Sequence, residues 1–316
     1  MTNNSFRLSV ILPIFNEAGS IPELVKRCRA ALSVYEQYEL IFVDDRSSDD
    51  SFQLLSQLAK EDPTHIKVIR FSRNFGHQIA ITAGLDIASG DAVVIMDSDL
   101  QDPPELIPEM LVKWQEGYEV VYARRRSRRD TPFKKATAFL FYRILRKLAN
   151  VDIPTDTGDF RLMDKKVVQA LRGMREHSRF MRGLTSWTGF RQTHIFFDRD
   201  DRKHGETHYP LVKMVKFALD GITSFSHIPL RMATYVGFLS ACVGLTGGLY
   251  AFYWRFFLPE ETVPGWTTIV VSVFFIGGIQ LIILGVIGEY IGRIYTELQA
   301  RPLYIVDKKM NLDGDE

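Results

Sequence analysis

Cysteine is nearly absent from these 316 residues, which contain only Cys28 and Cys242. Two isolated thiols, one in a helical stretch and one in a long apolar run, exclude a disulfide framework and a thiolate metal site. Both read as packed and inert. An excess of charge is lacking as well, with 39 Lys and Arg against 38 Asp and Glu. Whole-chain charge therefore says little, and no nucleic acid partner is expected. No internal repeat or low-complexity segment interrupts the chain. "MTNNSFRLSVILPIF" lacks a basic start, and its apolar run is short, so no secretory signal is expected. The N-terminal part is expected to stay in the cytoplasm.

Hydrophobic residues make up 46% of the chain and aromatic ones 12%, enough to bury one large core with an appendage left over. The appendage lies towards the C-terminus. No charged residue occurs from Met232 to Trp254 or from Trp266 to Gly288, and at 1.5 Å per residue either stretch exceeds the roughly 30 Å hydrocarbon core. Two transmembrane helices are expected. Their link, "RFFLPEETVPG", has one Arg against two Glu, whereas Arg231, Arg293, Arg301, Lys308 and Lys309 flank the outer ends. The positive-inside bias puts both termini in the cytoplasm, with Trp254 and Trp266 at the outer interface. The expected division is a cytoplasmic domain over 1–228, a two-helix membrane region over 229–295 and a cytoplasmic tail over 296–316.

Up to about residue 125 the text alternates between two periods. "LSVILPIF", "ELIFVDD", "HIKVIRFS", "DAVVIMDSD" and "EVVYARR" read as strands, and "PELVKRCRAALS", "SFQLLSQLAKE", "HQIAITAGLDIAS" and "PPELIPEMLVKWQEG" as helices between them. This is an α/β pattern with a mostly parallel sheet covered on both faces. Such sheets bind ligands at the carboxyl ends of their strands, where Asn16, Glu17, Asp44, Asp45, Ser72 to Asn74, Asp97 and Asp99 fall. Farther on, residues 132–149 and 210–226 each place an apolar face opposite a basic one, as interfacial amphipathic helices do.

"VIMDSDLQDPPEL" gathers acids at one strand end. Asp102, with Pro103, Pro104 and Glu105 behind it, reads as a helix cap with a capping-box Glu. Asp97 and Asp99 have no such structural use. A calcium loop starting at Asp97 would need Gly at its sixth position and Glu at its twelfth, where Asp102 and Pro108 stand. A magnesium or manganese ion held by one or two carboxylates and completed by substrate phosphates fits what remains.

"SVILPIFNEAGSI", "FVDDRSSDDS", "RNFGHQIAITAGL" and "MDSDLQDPPEL" together resemble the family 2 glycosyltransferases. More narrowly they resemble the polyisoprenyl-phosphate group of bactoprenol glucosyltransferases and dolichol-phosphate mannose synthases. With the two spans, the resemblance covers nearly the whole chain. It implies a nucleotide-sugar domain of the GT-A type and hexose transfer from a nucleotide sugar to a polyisoprenyl phosphate. It also implies site residues: Pro13, Phe15, Glu17, Asp45 and Ser98 for the nucleotide sugar, with Glu17 on the ribose and Asp45 on the base. Asp97, Asp99 and Gln101 would hold Mg or Mn. In "DTGDFRLMD" Asp159 matches the family's base, with Asp156 and Arg161 as supports. Arg124, in "ARRRSRRD", and Arg202, in "FFDRDDRKHGETHYP", are the expected phosphate ligands, the rest of the basic run holding anionic headgroups.

UDP-glucose is the expected donor, undecaprenyl phosphate the acceptor, and GDP-mannose the alternative donor; a non-catalytic membrane relative is a further reading. A processive polysaccharide synthase would carry a Gln-x-x-Arg-Trp motif, and none occurs. A pyrophosphorylase would open on a Gly-rich phosphate loop, which "SVILPIFNEAGS" is not. Ser240, Gly244 and Gly248, and Gly278, Gly285 and Gly292, line up small residues along the two spans. These predict a homo-oligomer in the membrane, or packing of the two helices of one chain.

Overall fold

The computed structural model describes residues 6–126, 157–197, 228–257 and 265–312. Among these, 6–126, 157–197 and 302–312 form one compact unit, and 228–257 with 265–301 form a second. The expected interfacial helices at 132–149 and 210–226, and with them Asp156 and Arg202, lie outside the described residues.

The first unit is built on an eight-stranded sheet. Its first half follows the alternation of the sequence: β1 (Leu8–Ile14), α1 (Ile21–Leu32), β2 (Tyr38–Asp44), α2 (Ser51–Glu61), β3 (Ile66–Phe71), α3 (His77–Ile87), β4 (Ala92–Ile95), α4 (Ile107–Gln115) and β5 (Val120–Arg125). Then come β6 (Thr157–Asp164), α5 (Lys165–Gly173), α6 (Met181–Trp187) and β7 (Gln192–Phe197). Strand β8 (Val306–Met310) closes the series, and the spatial order is β7-β5-β6-β4-β1-β2-β3-β8. The ladders β1–β2, β1–β4, β2–β3 and β5–β7 are parallel, while β4–β6, β5–β6 and β3–β8 are antiparallel. The sheet is thus mixed and mostly parallel, the GT-A arrangement.

Every residue of β1 is buried, as expected of a central parallel strand covered on both faces. Helix α3 lies so close beneath it that a Cβ at Gly84 would collide with the Ile11 side chain, so the absence of a side chain at 84 permits this contact.

Three local expectations change. Strand β4 ends at Ile95, so Asp97 and Asp99 lie in the loop beyond it rather than on its last residues. The chain turns away there through Leu100, whose φ of 62° is left-handed. Helix α4 is preceded by a 3-10 turn, Pro104–Leu106, whose cap position is Pro103 and has no side-chain cap. Glu105 directs its carboxylate to Arg27 at 2.7 and 2.8 Å instead of closing a capping box. Residues 302–312, expected as part of a tail, add β8 to the sheet edge.

The second unit is a pair of long helices, α7 (Ile228–Phe257) and α8 (Trp266–Leu298). Within α8, Phe275–Leu298 is 24 residues with a mean hydropathy of 1.7, long and apolar enough to cross a membrane. In α7 the described residues include the apolar stretch Met232–Gly247. A Cβ at Gly237 would lie 3.4 Å from Ile283, whereas at Gly244, Gly278, Gly285 and Gly292 it would meet no atom within 4 Å.

Candidate functional site

The strand order reverses on either side of β1, and the loops after β1, β2 and β4 converge at their carboxyl ends. A crevice at such a switch point is where open parallel sheets bind ligands. Each of these loops holds one non-glycine residue in left-handed conformation: Asn16 (φ 57°), Arg46 (φ 62°) and Leu100 (φ 62°). Such residues persist only where their surroundings hold them. Here the serines of "RSSDDS" supply the hold. Asn16 N donates to Ser47 Oγ (3.0 Å), Glu17 N to Ser51 Oγ (2.9 Å) and Ala18 N to Asp49 Oδ2 (3.1 Å). Ser48 N donates back to Asn16 Oδ1 (2.8 Å).

The expected nucleotide residues line this stitched edge. Pro13 is buried at the end of β1. Phe15 is 49% exposed. Glu17 is half-buried and accepts from Ser20 Oγ at 2.9 Å. Ser98 is buried and donates to the Pro13 carbonyl at 2.6 Å, tying the β4 loop to β1. Asp45 is buried with both oxygens engaged, Oδ1 by Phe75 N (2.6 Å) and Oδ2 by Gly76 N (2.9 Å). Burial raises its pKa even against these two amides. Its neighbour Asp44 is structural, accepting from Ser47 N and pairing with Arg70 at 3.2 Å.

By holding those amides Asp45 fixes the loop that opens α3, and so the position of His77. His77, which lies in the motif "RNFGHQIAITAGL" but had no role assigned to it, occupies the centre of the site. Its Nε2 lies 3.4 Å from Asp97 Oδ1 and 3.3 Å from Asp159 Oδ2. Asp159, buried on β6, also accepts from Gln78 Nε2 at 3.0 Å and from Arg182 Nε at 3.0 Å, with Arg161 at 3.7 Å. Arg161 is buried as well and donates to the carbonyls of Gly158 and Asp159.

The two carboxylates facing His77 are driven in opposite directions. Burial pushes Asp97 up, and the charges of Asp159 and Asp99 add to this against the attraction of His77. Burial would raise Asp159 too, but Arg182, His77 and Arg161 outweigh it and hold the carboxyl far below the usual range. His77 itself is raised, because Asp159 and Asp97 overcome the effect of its burial. Asp159 therefore stays ionised, while Asp97 gains from any cation that relieves its repulsions.

Among the described residues no group of three His, Cys, Asp or Glu side chains is placed to hold an ion by itself. Asp97 Oδ1 is nevertheless buried without a hydrogen bond, and Asp99 Oδ1 accepts from the Gln101 amide at 3.1 Å. Two hard oxygen donors at a strand end fit a divalent cation whose shell is completed by phosphate oxygens. Gln101 is half-buried beside them. Arg124 is on β5, paired with Thr157 of β6, its guanidinium 5.8 Å from the Phe196 ring. It lies between β6 and β7.

Known proteins share this chain over nearly its full length. The description "Glycosyl transferase family 2" matches residues 9–172, and "GtrB C-terminal hairpin" matches 228–294. An uncharacterized glycosyltransferase of Bacillus subtilis (strain 168) is 51% identical, covering 97% of this chain and 95% of its own. The prophage bactoprenol glucosyl transferase homolog of Escherichia coli (strain K12) is 40% identical, covering 96% and 99%. A solved structure of glucosyl-3-phosphoglycerate synthase from Mycobacterium tuberculosis with UDP is 18% identical, with a TM-score of 0.48, and covers 70% of this chain and 79% of its own. A family description matching over half the chain, together with relatives at this identity, leaves one assignment: the chain belongs to the family 2 glycosyltransferases, in the polyisoprenyl-phosphate glycosyltransferase group.

Proposed function

We propose that the protein transfers glucose from UDP-glucose to undecaprenyl phosphate at the cytoplasmic face of the membrane, with inversion at the anomeric carbon. The observation that supports this most is the meeting of Asp97, His77 and Asp159 at the carboxyl ends of the central strands, in a chain 40% identical to bactoprenol glucosyl transferases. A divalent cation held by Asp97, Asp99 and Gln101 would stabilise the negative charge of the departing nucleoside diphosphate. The stitched edge of Pro13, Phe15, Glu17, Asp45 and Ser98 would bind the nucleoside. Arg124 and Arg202 are kept as ligands of the acceptor phosphate.

A lipid monophosphate has its second pKa near 6, so about neutral pH it is already a nucleophile without loss of a proton. An Asp159 held ionised and hydrogen-bonded on both oxygens suits orientation better than proton uptake. We further infer that α7 and α8 are two spans. In support, β7 precedes them and β8 follows them in one sheet, which is compatible with two crossings and not with one. A homo-oligomer joined through the open faces of Gly244, Gly278, Gly285 and Gly292 is also proposed. Gly244→Leu with Gly285→Leu should reduce the particle mass in mild detergent, and an unchanged mass would refute it.

The decisive experiment incubates membranes containing the protein with radiolabelled UDP-glucose or GDP-mannose and extracts lipid. Label should enter a polyprenyl phosphate from UDP-glucose only. It should vanish with EDTA, return with Mn or Mg, and fall by about 100-fold in Asp99→Asn. Transfer from GDP-mannose alone would replace the donor, and full activity in EDTA would remove the metal.

A further inference from the structure

Asp159 does not stand alone. Its Oδ1 accepts from Arg182 Nε at 3.0 Å, and its Oδ2 from Gln78 Nε2 at 3.0 Å. Gln78 in turn accepts at Oε1 from Met181 N, 2.8 Å away, the residue beside Arg182. The contacts close a circuit from β6 through α6 to α3 and back. Two helix beginnings, His77 with Gln78 and Met181 with Arg182, are thereby held to one buried carboxylate. Arg182 is largely shielded, with 23% of its side chain exposed against 7% for Asp159, so the pair is protected from competing water.

We propose that Arg182 is a positioning residue for sugar transfer, which fixes Asp159 and, through it, His77 against the cation-binding carboxylates. No motif of the sequence marks it, and the inference rests on the glycosyl-transfer reading of this site. A guanidinium suits the task because its Nε–H lies in a rigid plane, so that it sets the carboxylate's direction as well as its charge. Without it Asp159 would keep only Gln78, His77 and the more distant Arg161, and the histidine would lose its fixed partner. Arg182 acts through Asp159 rather than on the reacting atoms. Its effect should therefore appear in turnover and should depend on Asp159 being present.

The test uses the full chain in mild detergent and compares Arg182→Gln, Asp159→Asn and the double variant. Arg182→Gln should lower kcat by about 100-fold, as misplacement of a reacting group does. The KM for the nucleotide sugar should not change. The double variant should be no worse than Asp159→Asn alone, since a shared pathway makes losses non-additive. Arg182→Lys, which keeps the charge but not the planar donor, should recover only part of the rate and covers the case in which Arg182→Gln fails to fold. Thermal melts of the same set should show the same non-additivity. Multiplying losses, or a rise in KM with kcat intact, would overturn the inference. A wild-type chain that transfers no sugar would defeat the proposed function instead, and additive losses in the melts would then decide against the coupling of Arg182 to Asp159.

Discussion

Glu39 is a carboxylate with no exposed surface, at the start of β2 and far along the chain from the reacting groups. Ser9 Oγ and Ser89 N donate to its Oε1 at 2.5 and 2.7 Å, and Lys67 pairs with its Oε2 at 2.7 Å. Burial alone would raise its pKa, but these partners outweigh it and lower the value from the ordinary 4.5. A carboxyl depressed in the folded state stabilises the fold above its unfolded pKa, and that contribution is lost as the pH falls through the depressed folded value. Glu39→Gln should therefore lower the melting temperature at neutral pH, by about 2 kcal/mol of stability. The difference from wild type should shrink under acid. A gap that stays constant from neutral to strongly acidic pH would show that Glu39 contributes shape rather than charge. Glu39 also marks what a sequence can reveal at this scale. Asp97 and Asp99 were legible because acids at the end of an apolar run have no packing use there, and Asp159 only through its match to the family's later acidic motif. His77 and Gln78 lay inside the motif "RNFGHQIAITAGL" without a role assigned to them, and Arg182 lay in none; they open two different helices, and no spacing relates 77, 159 and 182.

Elements were legible where hydrophobic period and length agreed, from β1 to β5. The strands β6, β7 and β8 were not. β8 reads Val-Asp-Lys-Lys-Met, with its middle three residues exposed, and a charged edge strand of this kind has no apolar period to detect. Its attachment comes from contacts that only folding creates. Tyr304 stacks on Phe71 at 5.2 Å and donates to Asp86 at 2.9 Å, Arg175 grips the same carboxylate at 2.8 and 2.9 Å, and Arg46 pairs with Asp307 at 2.8 Å. The Tyr304 hydroxyl is held protonated by burial and by the Asp86 charge. Tyr304→Phe keeps the stacking but removes the donor, and should cost about 1 kcal/mol in a melt. A loss several times larger would mean that the hydroxyl holds the whole strand. At Gly84 the constraint is steric, and Gly84→Ala should destabilise by about 1–3 kcal/mol through the push of its methyl group on Ile11.

At the scale of the whole molecule, the hydropathy of the chain announces two spans, and among the described residues Phe275–Leu298 is long and apolar enough to cross. Sheet closure supplies the missing constraint. A chain that leaves the sheet after β7 and returns to it as β8 ends on the side from which it started. A single crossing by α8 would strand β8 across the bilayer from β3, its partner. On the proposed topology, Lys and Arg beyond the helix ends would set which side that is, each contributing about 1 kcal/mol near an anionic inner leaflet. The prediction is made in a Cys28→Ser, Cys242→Ser background that carries a single new thiol. Thr262→Cys, in the link between the helices, should react with a membrane-impermeant maleimide in right-side-out vesicles. Lys309→Cys, exposed on β8, should react only in inverted vesicles. Labelling of both from the same side would mean that the hairpin does not cross, and the catalytic sheet would then be held to the membrane surface by some means other than two spans.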